Sequence, residues 1–145
     1  MKIYLDNCCF NRPFDDQSHI RIRLEAEAKL KIQDDIQTGN IELVWSYILS
    51  AENEANPFEE RKVAIAVWQK LAKIDVGERS DILTKAHEIG KFGIHSKDAL
   101  HIACAICSEC TYFLTTDDHI LNKNDLILEI VIIDPIGFIK EVYVC

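Results

Sequence analysis

Short apolar runs alternate along this 145-residue chain with longer stretches of helical spacing, and that order limits the fold more than any single motif. Lys2–Asp6, Ile41–Trp45, Asp75–Val76, Tyr112–Thr115 and Leu128–Ile133 read as strands. Helices are expected over Ile20–Gln37, from Ser46 through Glu52 toward Pro57, over Glu59–Lys73 and over Asp81–Lys91. A further helix covers ALHIACAICSEC with Ser96 as its N-cap, and short ones are expected at Asp118–Asn122 and Pro135–Ile139. The apolar side of the first long helix is assigned to Ile22, Leu24, Ala26, Leu30, Ile32 and Ile36, and that of Glu59–Lys73 to Val63, Ala66, Val67 and Leu71. Strands alternating with helices imply a mainly parallel sheet covered on both faces. With no internal repeat or linker, residues 1–145 are expected to form one domain, a three-layer α/β/α sandwich.

Hydrophobic residues make up 48% of the chain, enough for a continuous core. No apolar run approaches the roughly 20 residues that span a bilayer, and no basic-then-apolar leader opens the sequence, so a cytoplasmic protein without membrane contact is expected. Of six cysteines, Cys8 and Cys9 are adjacent, Cys104, Cys107 and Cys110 fall in one helical pattern, and Cys145 is the last residue. A C-x2-C-x2-C inside a helix shares roughly one face and lacks a loop to wrap a cluster, so these read as reduced core thiols in preference to a metal site. The formal net charge of −8 excludes a protein that coats nucleic acid through bulk charge, yet permits an enzyme whose carboxylates hold a cation.

Four acids occupy matching positions in this scheme. Open parallel sheets bind ligands at the C-terminal ends of their strands. Asp6 ends the first strand, and Asp117 closely follows YFLT. Asp98 lies in the first turn of the helix before that strand, which should run antiparallel to it and begin at the same edge. Glu52 sits one or two helical turns beyond the second strand, with Glu54 as its rival. Singly, each has an ordinary reading: a polar strand end, a residue favouring a helix dipole, turn and N-cap acids at Asp117 and Asp118, a solvated helix face. Together they form a group that cannot stay fully ionised without a counter-charge. A hard divalent cation such as Mg²⁺ or Mn²⁺ resolves this, and the chemistry implied is metal-assisted hydrolysis of a nucleic-acid backbone.

The segments YLDNCCF, SYILSAENEANP, KDALHIACAI and FLTTDDHIL resemble those of PIN domains, the nuclease fold of VapC-type toxins and several RNA-processing enzymes. KDALHIACAI is similar to the family's D-A-x-x-A-A helix and FLTTDDHIL to its apolar-Thr-x-Asp segment. The resemblance spans essentially the whole chain. It implies Asp6, Glu52, Asp98 and Asp117 as catalytic metal ligands, Asp118 as a supporting ligand, and Thr115 and Asn7 orienting carboxylates or water from behind. Many members place Thr or Ser and then Asn or Ser after the first acid; here Asn7 and Cys8 stand there, and a thiol donates poorly and favours zinc or oxidation. Arg12 is a candidate to grip a phosphate, with Arg21, Arg23 and Lys97 extending that surface or simply solvated. His95 and His101 read as structural residues or substrate contacts, and Trp45 and Trp68 as core.

The reading that follows is a Mg²⁺- or Mn²⁺-dependent ribonuclease in which water on the metal attacks RNA, leaving a 5′-phosphate and a 3′-hydroxyl. A small antitoxin and a second copy of the chain are the partners that the resemblance implies. The alternative is a PIN domain with a decayed site that binds RNA or protein without cutting. A phosphoryl-acceptor role for Asp6 ranks last, because no D-x-D-x-[TV] signature surrounds it.

Overall fold

The computed structural model describes residues 1–143, so Cys145 lies outside the described residues. Five strands, β1 (Lys2–Leu5), β2 (Glu42–Ser46), β3 (Ile74–Val76), β4 (Tyr112–Leu114) and β5 (Val131–Ile133), form one sheet in the order β3-β2-β1-β4-β5. Every neighbouring pair is parallel, with Tyr4 opposite both Val44 and Phe113. The helices are α1 (Asn7–Asn11), α2 (Ile20–Gln37), α3 (Tyr47–Glu54), α4 (Glu59–Leu71), α5 (Ser80–Gly90), α6 (Ser96–Cys107), α7 (Asp118–Leu121) and α8 (Pro135–Tyr143). The chain steps from β1 to β2 to β3 in one direction, then returns past β1 to β4 and β5. Right-handed crossovers in opposite directions put α2 and α4 on one face and α5 and α6 on the other. α8 packs back on α2, and α5 lies along α6. The expected three-layer α/β/α arrangement is therefore present, with the topological switch between β1 and β4.

The core follows from strands buried on both faces. Tyr4 stacks on Phe113 beneath α6, while Trp45 meets the edge of Phe10 on the α2 side. Trp45 and Trp68 are both buried, as their patterns implied. Cys104 and Cys110 are buried and unpaired, and burial pushes both thiols up to about 12, which fits core thiols. Cys110 nevertheless lies beyond the end of α6. Among the described residues, no helix is long and apolar enough to cross a membrane.

Several local expectations are corrected. The apolar side assigned to α4 faces solvent: Val63, Val67 and Leu71 are 60%, 50% and 41% exposed, whereas Ile65 and Trp68 are buried. In α2 the inward stripe is Glu25, Ala26, Lys29, Ile32 and Ile36, while Leu24 and Leu30 are exposed. Three charged residues, Glu25, Lys29 and Asp35, are buried on that side, so a count of apolar positions alone selects the wrong angle. The last strand begins only at Val131, with Leu128 89% exposed, because β4 offers it three residues to pair with. Ser96 is the first residue of α6 and His95 its cap, without a side-chain bond. Asn7–Asn11, for which no element is expected, forms a short helix that Asp6 caps.

Candidate metal centre

Asp6 is positioned by backbone and side-chain bonds acting together. Its amide donates to the Leu114 carbonyl at 2.9 Å, tying the end of β1 to the end of β4. Its Oδ1 accepts from the Asn7 amide at 2.8 Å, the N-cap bond of α1, and its Oδ2 accepts from the Thr115 hydroxyl at 2.8 Å. Thr115 Oγ1 in turn accepts from the Asp117 amide at 3.1 Å, so one buried hydroxyl sets the geometry of two acids. The Asn7 contribution is made by its backbone; its side-chain oxygen accepts from Asn11.

Cys8 behaves better than its residue type suggested. Its thiol lies 3.6 Å from Asp6 Oδ2, as donor, and its sulfur accepts from the Thr116 amide at 3.3 Å. It thus fills the small-donor role that a serine or threonine would take, with a weaker bond.

Of the two candidate acids on α3, Glu52 and not Glu54 turns toward Asp6. Glu52 on α3 is half-buried and bonds to Nε2 of His101, whereas Glu54 points outward, 80% exposed, toward Lys62. Asp6, Glu52 and His101 each offer an atom within 4.8 Å of the others. The His101 Nε2 is 3.9 Å from Asp6 Oδ1. His101 is fully buried on α6, three residues after Asp98 and therefore on the same helix face. That i, i+3 spacing was the signal available in the sequence, and it assigned His101 no definite place.

Asp98 is half-buried in the first turn of α6. Burial pushes its carboxyl above the usual range, and the charges of Asp6, Asp117 and Glu52 push it further while His101 opposes them. Asp6, Asp117 and Glu52 thus all lie near enough to Asp98 to act on its carboxyl. Asp117 is exposed and also caps α7, accepting from the His119 amide at 2.9 Å, so its ordinary cap role and its place at the edge coexist.

Two expected participants are engaged elsewhere. Asp118 forms a two-pronged pair with Arg21, both bonds 2.8 Å, and this holds its carboxyl below the usual range. Arg12 donates to the buried Glu25 at 3.0 Å and to Asp15 at 3.0 Å. Glu25 also receives Arg21 at 3.4 Å, so Arg12, Glu25, Arg21 and Asp118 form one ion-pair chain along α2. Instead, a cleft of about 290 Å³ opens beside Glu52, lined by Asn7, Asn11, Asn56, Arg61 and Lys97. Arg61 there packs over the Phe58 ring at 4.5 Å.

Among the described residues, the clustered ligand atoms come from the Asp6 and Glu52 carboxylates and the His101 imidazole, and the carboxylate oxygens at this strand-end crevice suit a hard divalent cation.

No protein-family model matches the sequence, and no curated protein does. Among solved structures, the chain is similar to VapBC2 from Rickettsia felis bound to a DNA fragment from their promoter. That match has 13% identity, a TM-score of 0.58, and covers 91% of this chain and 97% of that one. It is also similar to VapBC-1 from nontypeable Haemophilus influenzae, at 16% identity and a TM-score of 0.59, covering 93% of this chain and 98% of that one. At such identities the likeness is one of fold, and it agrees with the motifs in YLDNCCF, KDALHIACAI and FLTTDDHIL: the chain has the fold of a VapC-like PIN domain.

Proposed function

We propose that this chain is, as a single domain, a metal-dependent ribonuclease of the PIN type that uses Mg²⁺ or Mn²⁺. The observation that carries this reading is that Asp6, Asp117 and Glu52 each raise the cost of ionising Asp98, near the switch point between β1 and β4. Asp6, Glu52, Asp98 and Asp117 would hold the cation. When bound, it supplies positive charge against a phosphodiester and acidity for the attacking water.

The chain's own residues prepare that site. Thr115 and the Asn7 amide fix Asp6, and Thr115 with the α7 cap fixes Asp117. Lys97 and the asparagines of the adjoining cleft offer charge and hydrogen bonds to a sugar-phosphate chain lying next to Glu52. RNA as the substrate follows from the family resemblance, as does a small protein antitoxin that would cover the acidic edge; the VapBC complexes of like fold support the same partner. The decayed-site alternative rests on Cys8 and the net acidity, and the contacts that Cys8 makes to Asp6 and to the Thr116 amide weigh against the first of these.

The test is cleavage of labelled RNA with Mg²⁺ or Mn²⁺, with and without EDTA, by wild type, Asp6→Asn and Asp98→Asn. Cleavage that EDTA abolishes and both variants lose by at least about a hundredfold is expected. Metal-stimulated cleavage undiminished in both variants would reject the site.

A further inference from the structure

A buried hydrogen-bonded chain runs from the backbone of α3 across β2 and β1, beneath α6, to the acidic edge. The Leu49 amide donates to Ser46 Oγ at 3.2 Å, Ser46 Oγ lies 2.6 Å from the Tyr4 hydroxyl, and that hydroxyl lies 2.6 Å from Nδ1 of His101. Nε2 of His101 meets Glu52. Ser46, Tyr4 and His101 are each essentially inaccessible to solvent.

The chemistry of its ends gives this chain a direction. Glu52 and Asp6, the two groups facing Nε2, are carboxylates that only accept, so Nε2 carries a proton. In the neutral imidazole, Nδ1 must then accept, and the Tyr4 hydroxyl is its donor. Burial keeps the Tyr4 phenol protonated by raising it well above its usual range. Tyr4 consequently accepts from the Ser46 hydroxyl, whose oxygen takes the Leu49 N–H. Every donor and acceptor along the line is satisfied, and only one tautomer satisfies them all.

Resting on the metal-centre reading, we propose that His101 is a positioning residue and not a metal ligand: Ser46 and Tyr4 set its tautomer so that Nε2–H holds one carboxylate oxygen of Glu52, leaving the other for the cation. Glu52 belongs to a short helix at the edge of a cleft, so without this hold its side chain would be free to turn into solvent. Such outer partners of ligating groups are worth about 10–100-fold in metal affinity. The assignment also separates Glu52 from Asp6 and Asp117, which Thr115 and backbone amides orient. The acidic edge is thereby organised by two devices, one running through Ser46, Tyr4 and His101 and one built on Thr115 at the end of β4.

Calorimetric titration with Mn²⁺ tests this without any cleavage assay. A glutamine at 101 can present its amide N–H where Nε2 sits, whereas an asparagine can meet only the Tyr4 side and a leucine meets neither. His101→Leu and His101→Asn are expected to weaken Mn²⁺ binding by about 10–100-fold, with His101→Gln close to wild type. Tyr4→Phe, which leaves both tautomers open, is expected to fall between them. Circular dichroism without metal identifies any variant that fails to fold; the Asn and Gln pair decides the matter if Leu does not fold. Wild-type affinity in His101→Asn, or a loss in His101→Gln equal to that in His101→Asn, would overturn the proposal. Asp6→Asn serves as the separate control: unchanged Mn²⁺ binding there, or none in wild type, rejects the metal centre itself.

Discussion

The Thr115 hydroxyl donates to the Asp6 carboxylate at 2.8 Å across 109 residues of sequence, joining the ends of β1 and β4 at the point where the sheet reverses its strand order. The same oxygen accepts from the Asp117 amide, so Thr115 couples two acids that no local rule relates. Thr115→Val keeps the shape and removes both bonds. A loss of about 1–3 kcal/mol in urea unfolding is expected, together with weakened Mn²⁺ binding, and Thr115→Ser should recover both.

Asp98 makes stability and metal binding oppose each other. Its carboxyl is raised in the folded protein, first by burial and then by Asp6, Asp117 and Glu52, so the unfolded chain ionises more readily. The stability this group contributes is complete below the unfolded value and is lost as pH rises through the folded one. Asp98→Asn should therefore melt higher than wild type at pH 7–8 without metal, by about 2–4 °C for each kcal/mol relieved. That advantage should vanish at acidic pH, and Mn²⁺ should no longer raise the melting temperature. Melting curves at two pH values, with and without Mn²⁺, check all three.

Lys29 is a buried ammonium on the opposite side of the sheet, 2% exposed and lying over the Phe10 and Trp68 rings at 5.1 and 5.3 Å. Burial lowers it from 10.5 to about 7. Between pH 7 and 10.5 the unfolded chain binds the extra proton, so stability should rise with pH across that window, by at most about 1.4 kcal/mol per unit. Lys29→Met should stabilise the protein most below pH 7 and progressively less toward pH 10. An equal gain at pH 6 and pH 9 in denaturant titrations would contradict the burial argument.

Asp118 and Asp117 are adjacent but should respond differently. With Asp118 held by both prongs of Arg21, Asp118→Asn is expected to leave Mn²⁺ affinity unchanged. Asp117→Asn should weaken it by at least about tenfold. Comparison of the two titrations checks which acid serves the cation.

Strand–helix alternation, the parallel sheet and the placing of Asp6, Asp98 and Asp117 were legible in the sequence, because periodicity and strand-end position are local properties of the chain. Even a boundary as long as Ile20–Gln37 was readable from spacing alone. Which side chain meets which was not. Glu52 and Glu54 differ by two positions and are chemically alike; only the packing of α3 beside α6 turns the first onto His101 and leaves the second with Lys62. Arg12 has the composition of a phosphate grip, yet Glu25, buried on a helix face that apolar counting misjudged, takes its guanidinium. His101 gained its place because Tyr4 and Ser46 lie on neighbouring strands, more than 40 residues apart, and converge beneath one helix. Local chemistry determines which residues are able to act, but the pairing of β1 with β4 decides which of them share an edge, since that contact joins segments that no sequence window contains.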